Sequence, residues 1–184
     1  MKKILIVITG ILFFTVSTQA QRYITKSGNI TFFSDGPLEK IEAVNNKVNA
    51  ALDSQNGMFV FKVLMKSFVF EKALMQEHFN ENYVESDKYP VASFKGKVIN
   101  ISDINFKKPG DYQAKVTGQL TIHGKTHPVK TTGTFTVNDK GIKGKSQFNI
   151  KLIDYNIEIP SIVSGKIAEE ILITVNIDLK PLKQ

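Results

Sequence analysis

Three histidines, His78, His123 and His127, are the side chains best suited to metal or proton chemistry in this 184-residue chain, which has no cysteine. His123 and His127 have a His-x3-His spacing, which on a helix would put two imidazoles on one face for a metal. Here the pair straddles a hairpin turn between segments that alternate with period two. With Gly124-Lys125 as a Gly-X loop of type II′, His123 opposes Thr126 and His127 opposes Ile122. The two rings then lie on opposite faces of the sheet and cannot share a metal in that register. His123 faces out. His127 faces in near the end of the hairpin, where it either meets a polar head group or satisfies local backbone groups. His78 follows Gln76-Glu77 without a second histidine four residues on, so no zincin motif forms. It reads as helix surface or a local cap. There is no G-x-S-x-G elbow and no Gly-rich phosphate loop. The acids are scattered, with no pair in a recognisable acid/base context. The expectation is therefore a binding protein rather than an enzyme, with no catalytic residue, metal site or cofactor named.

Composition narrows the class further. Without cysteine there is no disulfide scaffold, thiolate zinc site, thiol nucleophile or lipid-anchored cysteine. The 42% apolar content and 13 phenylalanines exclude a disordered chain. Lys and Arg number 24 against 17 Asp and Glu, a net charge of +7. Lys95, Lys97, Lys107, Lys108, Lys140, Lys143 and Lys145 would make a basic surface for nucleic acid or anionic lipid, or simply solvated strand faces. Arginine, which reads phosphate with a forked geometry, occurs once, at Arg22. Nucleic acid is not an expected partner.

The first twenty residues read as an address. Met1-Lys2-Lys3 is basic, Ile4 to Val16 is almost wholly apolar, and Thr18-Gln19-Ala20 offers small residues at −3 and −1 of a cleavage site. The apolar core is shorter than the ~20 residues of a spanning helix. Cleavage after Ala20 would leave residues 21–184 as a single exported domain without a transmembrane segment. Its expected location is the periplasm, with the extracellular space as the alternative.

The positions around such a site come from strands. From Lys115, Val116, Gly118, Leu120 and Ile122 alternate with Thr117, Gln119 and Thr121; past the turn, Val129, Gly133, Phe135 and Val137 alternate with threonines. Phe148, Ile150 and Leu152 alternate with polar residues, as do Ile171 to Leu179. Shorter strands are expected at Tyr23–Lys26, Ile30–Phe33, Met58–Met65 and Phe94–Ile101. Residues 38–52 read as two short strands, with a helix as the alternative. Phe70–Tyr83 predicts one short helix of about ten residues. About eight antiparallel strands with turns every 8–12 residues make an all-β sandwich or barrel.

Closing about eight strands gives an interior that side chains fill or that holds one small ligand. The inward set is Phe32, Phe59, Phe61, Val63, Phe94 and Val98, then Leu120, Ile122, Phe135, Phe148, Ile150, Ile171 and Ile173. Gly96, Gly118 and Gly133 share those faces, where they either leave space or serve barrel bends. A filled core, as in a periplasmic interaction or stress-response module with no small-molecule ligand, and an apolar cavity that takes up a lipid both fit this pattern.

Leu120-Thr121-Ile122-His123-Gly124-Lys125-Thr126 followed by Pro128-Val129 resembles the L-T-I-H-G-x-T-x-x-V hairpin of the YceI-like family. Ser67-Phe68, His78–Tyr83, Ser86–Pro90 and Ala92-Ser93-Phe94 are similar to that family's helix and following strand. Phe148–Ile150, Tyr155–Ile157 and Ile159-Pro160 resemble its penultimate segment, and the last alternating run its final strand. The first half departs, with the loops around 38–57 shortened or altered. The resemblance implies an exported, lipocalin-like antiparallel barrel that binds an isoprenoid or an isoprenoid quinone; a fatty acyl lipid would suit the same apolar interior. Its tail would lie among Phe32, Phe59, Phe61, Phe94, Leu120, Ile122, Phe135, Phe148, Ile150, Ile171 and Ile173. The family supplies no metal or catalytic residue; His127 enters the expected site from geometry alone. Paired barrel edges would make a homodimer.

Overall fold

Two fourteen-residue strands, β1 (Arg22–Asp35) and β2 (Lys40–Asp53), open the computed structural model, which describes residues 21–182. The expected signal peptide, residues 1–20, lies outside the described residues. Each of these strands is single where two short strands were expected, and one device explains both. In β2 the buried positions run Ala43 and Asn45, then Val48, Ala50 and Leu52, so the parity changes at Asn46-Lys47. In β1 they run Tyr23 and Thr25, then Gly28 and Ile30. The register slips between Thr25 and Gly28 and again before Ile30, against Ala50, Val48 and Asn45. A bulge inserts an unpaired residue and flips the faces without ending the strand. Asn45 secures it from within: its amide donates to Leu64 O at 2.9 Å, and its Oδ1 accepts from Lys47 N at 2.9 Å.

The remaining strands are β3 (Met58–Leu64), β4 (Val69–Phe70), β5 (Val91–Val98), β6 (Gly110–Ile122), β7 (Lys125–Asn138), β8 (Gly141–Lys151) and β9 (Glu170–Pro181). All pairings are antiparallel, in the order β1-β9-β8-β7-β6-β5-β3-β2, and β2 returns to β1 to close an eight-stranded barrel. The two-residue β4 adds to β2 through Ala43–Phe70 and Val44–Val69. Helix α1 (Ala73–His78) continues as a wider π turn through Phe79–Tyr83. Together they form the short helical segment expected within Phe70–Tyr83, which starts after residue 70 because Phe70 belongs to β4. Among the described residues, no helix is long and apolar enough to cross a membrane.

The β6–β7 hairpin corrects one register. Ile122 pairs with Lys125 and Leu120 with His127, so the loop is His123-Gly124. Both loop residues have positive φ, 49° and 71°, as a type I′ turn requires. The X-Gly order suits that turn, and contacts of the His123 ring hold a non-glycine residue in the left-handed region.

β7 and β8 pair only from Gly133–Ser146 to Asn138–Gly141. Beyond Gly133 they part. Alternating from the closing pair Ile122–Lys125, the Pro128 nitrogen points to the side that β8 has left. A proline is tolerated on such an unpaired edge because no ladder needs its N–H.

Candidate functional site

The interior is divided along its axis. At the end formed by the starts of β1, β3, β6 and β8, Leu52, Val98, Ile104, Val137, Ile142 and Leu179 pack into a solid floor. Tyr23 and Phe106 stack there with centroids 5.8 Å apart. Above the floor lies a cavity of about 480 Å³, within the ~300–1,000 Å³ of small-molecule sites. Expectations of a filled core and of a chamber thus apply to different halves of the barrel. Val98, expected to face the interior, does so in the floor, at 1% exposure.

The chamber walls are built by alternation along strands. Phe59 and Phe61 project from β3, Phe94 from β5, Leu120 and Ile122 from β6, and Phe135 from β7. Across the barrel, Phe32 comes from β1, Phe148 and Ile150 from β8, and Ile171 and Ile173 from β9. Cross-strand register brings them together: Phe61 faces Phe94, Phe94 faces Leu120, and Ile173 lies between Phe32 and Phe148. The Phe59 and Phe61 rings are 4.6 Å apart, and Phe59 meets Phe135 edge-on at 5.8 Å.

Two expectations about this site change. Gly96 and Gly118 pair directly, but they do not leave open space. A Cβ at either would meet Phe94 Cζ at 2.5 Å, so the Phe94 ring covers both. Gly133 has another task. A Cβ there would meet the Lys145 carbonyl oxygen at 2.5 Å, so its absence lets β7 approach β8 where their pairing begins. His127 shares the strand face of Leu120, yet it is not among the residues lining the chamber. Its ring instead meets Tyr155 edge-on at 5.3 Å.

His123 does not face out. Its side chain is 9% exposed, Nδ1 lies 3.1 Å from Tyr155 O, and Nε2 lies 2.6 Å from a Glu85 carboxylate oxygen. Tyr89 packs edge-on against the ring at 4.6 Å. The cluster joins the hairpin, the segment after α1 and the 3₁₀ turn Leu152–Tyr155. Burial, with Asp154 beside it, pushes the Tyr155 hydroxyl up to about 12.

The bond from His123, aided by Lys88, holds the Glu85 carboxyl below its usual range. A depressed carboxylate contributes stability above its ordinary pKa and loses it as pH falls through the folded value. The urea midpoint is therefore expected to fall on acidification below about pH 4. Glu85→Gln should flatten that part of the profile, and superimposable profiles would refute a stabilising Glu85–His123 contact.

Much of the mouth was not foreseen. Phe32 packs against Phe68, Phe70 and Phe79, with centroids 5.4, 5.5 and 5.4 Å away. This aromatic knot fastens β4 and the π turn onto β1. The chamber opens between α1, through Leu74, Met75 and His78, and the β8–β9 loop, through Val163, Lys166 and Ile167. Lys72 Nζ donates to Glu39 at 2.8 Å beside this opening. That bond, with Lys166 nearby, draws the Glu39 carboxyl below its usual range. Ser34, buried at the same rim, accepts from Ala168 N at 2.8 Å and ties down the loop. Of these residues, Leu74, Met75, His78 and Phe79 fall in the expected helix, where they continue the wall over the mouth.

A closed eight-stranded barrel with a floor, an aromatic chamber and a helix beside its mouth invites comparison with known domains. Residues 14–179 match the model of the YceI-like domain. The chain belongs to the YceI-like family. Its architecture is the lipocalin-like barrel expected of that family. Solved structures with the same fold include a polyisoprenoid binding domain from Saccharophagus degradans implicated in plant cell wall breakdown. It is 13% identical, with a TM-score of 0.77 over 89% of this chain and 100% of that one. Burkholderia cenocepacia BcnA is 19% identical, with a TM-score of 0.67 over 83% and 94% of the two chains. A Campylobacter jejuni YCEI protein is 17% identical, with a TM-score of 0.58 over 76% and 84%. At these identities the likeness is one of fold. No curated protein matches the chain.

Proposed function

We propose that this YceI-like barrel binds a long-chain amphiphile, an isoprenoid, isoprenoid quinone or fatty acyl lipid, with its tail in the chamber. The observation that carries the reading is a chamber of about 480 Å³ walled almost wholly by aliphatic and aromatic side chains and open at one end. Engineered apolar cavities of ~150 Å³ already stay dry and take up benzene. Burial of a tail would contribute ~25 cal/mol per Å² before ordering costs. The polar head would lie at the mouth among Glu39, Lys72, His78 and Lys166. These groups offer both donors and an acceptor. Membership of a binding-protein family and the name of the Saccharophagus domain support this reading.

The role is carriage or storage rather than turnover, in the periplasm if the first twenty residues act as the expected signal. A homodimer through strand edges would use the parting of β7 from β8, since the barrel is closed elsewhere. Titrating the purified protein with an apolar-site dye and displacing it with prenols, a quinone and a fatty acid tests the reading. One saturable site, displaced more strongly as the tail lengthens, is expected. A dye signal unaffected by any of these lipids would refute it.

A further inference from the structure

Charge is segregated around the barrel. β5, β6, β7 and β8 form one continuous arc of wall, and Asp111 is the sole acid in all four strands. On their outer face stand Lys95, Lys97, Lys115, Lys130, Lys143 and Lys145, all exposed. Within the wall the register sets each against a neutral residue, Lys95 against Gln119, Lys97 and Lys130 against Thr117, and Lys115 against Thr132, while at the β9 margin Lys143 faces Asp178. Lys143 and Lys145 lie against Thr136 and Thr134. Among the described residues none of the six makes an ion pair. Asp111 itself accepts from the Thr136 hydroxyl at 2.6 Å.

The other side of the barrel is different. β1, β2 and β9 mix Lys26, Lys40, Lys47 and Lys180 with Asp35, Glu42, Asp53, Glu170 and Asp178. Ion pairs form there, Lys40 with Asp35 at 3.5 Å and Lys180 with Asp178 at 2.9 Å. The net positive charge of the chain is thus gathered on one wall rather than spread over the surface.

We propose that the outer face of β5–β8 docks on an anionic lipid bilayer. The chemistry favours a bilayer over two other polyanions. A nucleic-acid surface would interleave its cations with aromatics for base stacking and use arginine forks on phosphate. A protein interface would centre on aromatic or arginine anchors. This face presents lysines and threonines, and the chain's one arginine, Arg22, lies on β1. Lysines on a rigid wall suit a diffuse layer of anionic headgroups, which attracts each near-surface cation without requiring fixed geometry. The same wall contains the parting of β7 from β8, so docking would set the side of the chamber against the membrane. The proposal rests on surface charge and holds whatever occupies the chamber.

Co-sedimentation of the purified chain with phosphatidylglycerol/phosphatidylcholine vesicles, compared with pure phosphatidylcholine vesicles, tests it. Binding to the anionic vesicles alone is expected. It should be lost when salt rises from ~0.1 to ~1 M, which shortens the screening length from about 10 to about 3 Å. The variant Lys95→Gln/Lys97→Gln/Lys115→Gln/Lys130→Gln should bind at least about tenfold more weakly. Its dye uptake and thermal midpoint should be unchanged, because these side chains lie outside the core and the chamber. The matched variant Lys26→Gln/Lys40→Gln/Lys47→Gln/Lys180→Gln removes the same charge and should bind nearly as wild type. Equal losses in both variants, no binding to anionic vesicles, or capture by polyanionic DNA but not by vesicles would each overturn the proposal.

Discussion

Phe61→Asp is expected to abolish lipid uptake by the folded protein. Phe61 lies where floor and chamber meet, packed on both apolar clusters. Its ring is 4.6 Å from that of Phe59 and 6.1 Å from that of Phe94. An aspartate there would either carry a charge into an apolar chamber or stay protonated through a raised pKa; both outcomes are costly. Water accompanying the carboxyl would displace the tail. Loss of the ring alone removes ~3–5 kcal/mol of stability, so folding must be checked by near-ultraviolet circular dichroism. Val175→Phe provides a complementary test, because it adds bulk to a chamber that Val175 lines. It should reduce uptake at least about tenfold while changing stability by less than the ~1–3 kcal/mol of overpacking a tight core. Undiminished uptake by both folded variants would contradict the assigned lining.

Leu52→Ala should have the opposite signature. Leu52 is fully buried in the floor, pairs with Tyr23 and Phe59, and is not among the chamber-lining residues. Truncating a leucine in such packing leaves a cavity and costs ~2–5 kcal/mol. For a domain of this size the thermal midpoint should fall by roughly 4–20 °C. Below the lowered midpoint, lipid affinity should stay within about twofold of wild type, because Leu52 lines none of the chamber and reaches it only through Phe59. A large loss of affinity at full folding would mean that floor and chamber are one packed unit. The two substitutions therefore separate what holds the barrel closed from what fills it.

The parts of the barrel legible in the sequence are those whose period stays constant. Val116 to Ile122 and Val129 to Val137 alternate without interruption, and they form the hairpin that was expected. β1 and β2 were harder because their matched bulges shift the buried set by three residues, from Thr25 to Gly28 and from Asn45 to Val48. A three-residue step imitates helical spacing, which is why residues 38–52 were ambiguous.

The walls of the chamber were legible for the same reason as the strands, since inward residues follow from parity. The mouth was not, because its side chains come from α1, the 3₁₀ turns and the β8–β9 loop, which have no shared period. His123 shows the limit most clearly. Its place in the turn, rather than one residue before it, depends on Glu85 and Tyr155, residues 38 and 32 positions away. No local pattern records such partners. His127, expected at a polar rim, is instead taken up by Tyr155, while Glu39, Lys72, His78 and Lys166 line the mouth.

Native mass spectrometry of the purified chain, before and after extraction with organic solvent, tests the central claim most directly. An adduct of several hundred daltons is expected, which extraction removes and added isoprenoid or fatty acid restores at one molecule per chain. A bare mass before extraction, with no adduct on adding any of these lipids to the folded protein, would contradict it.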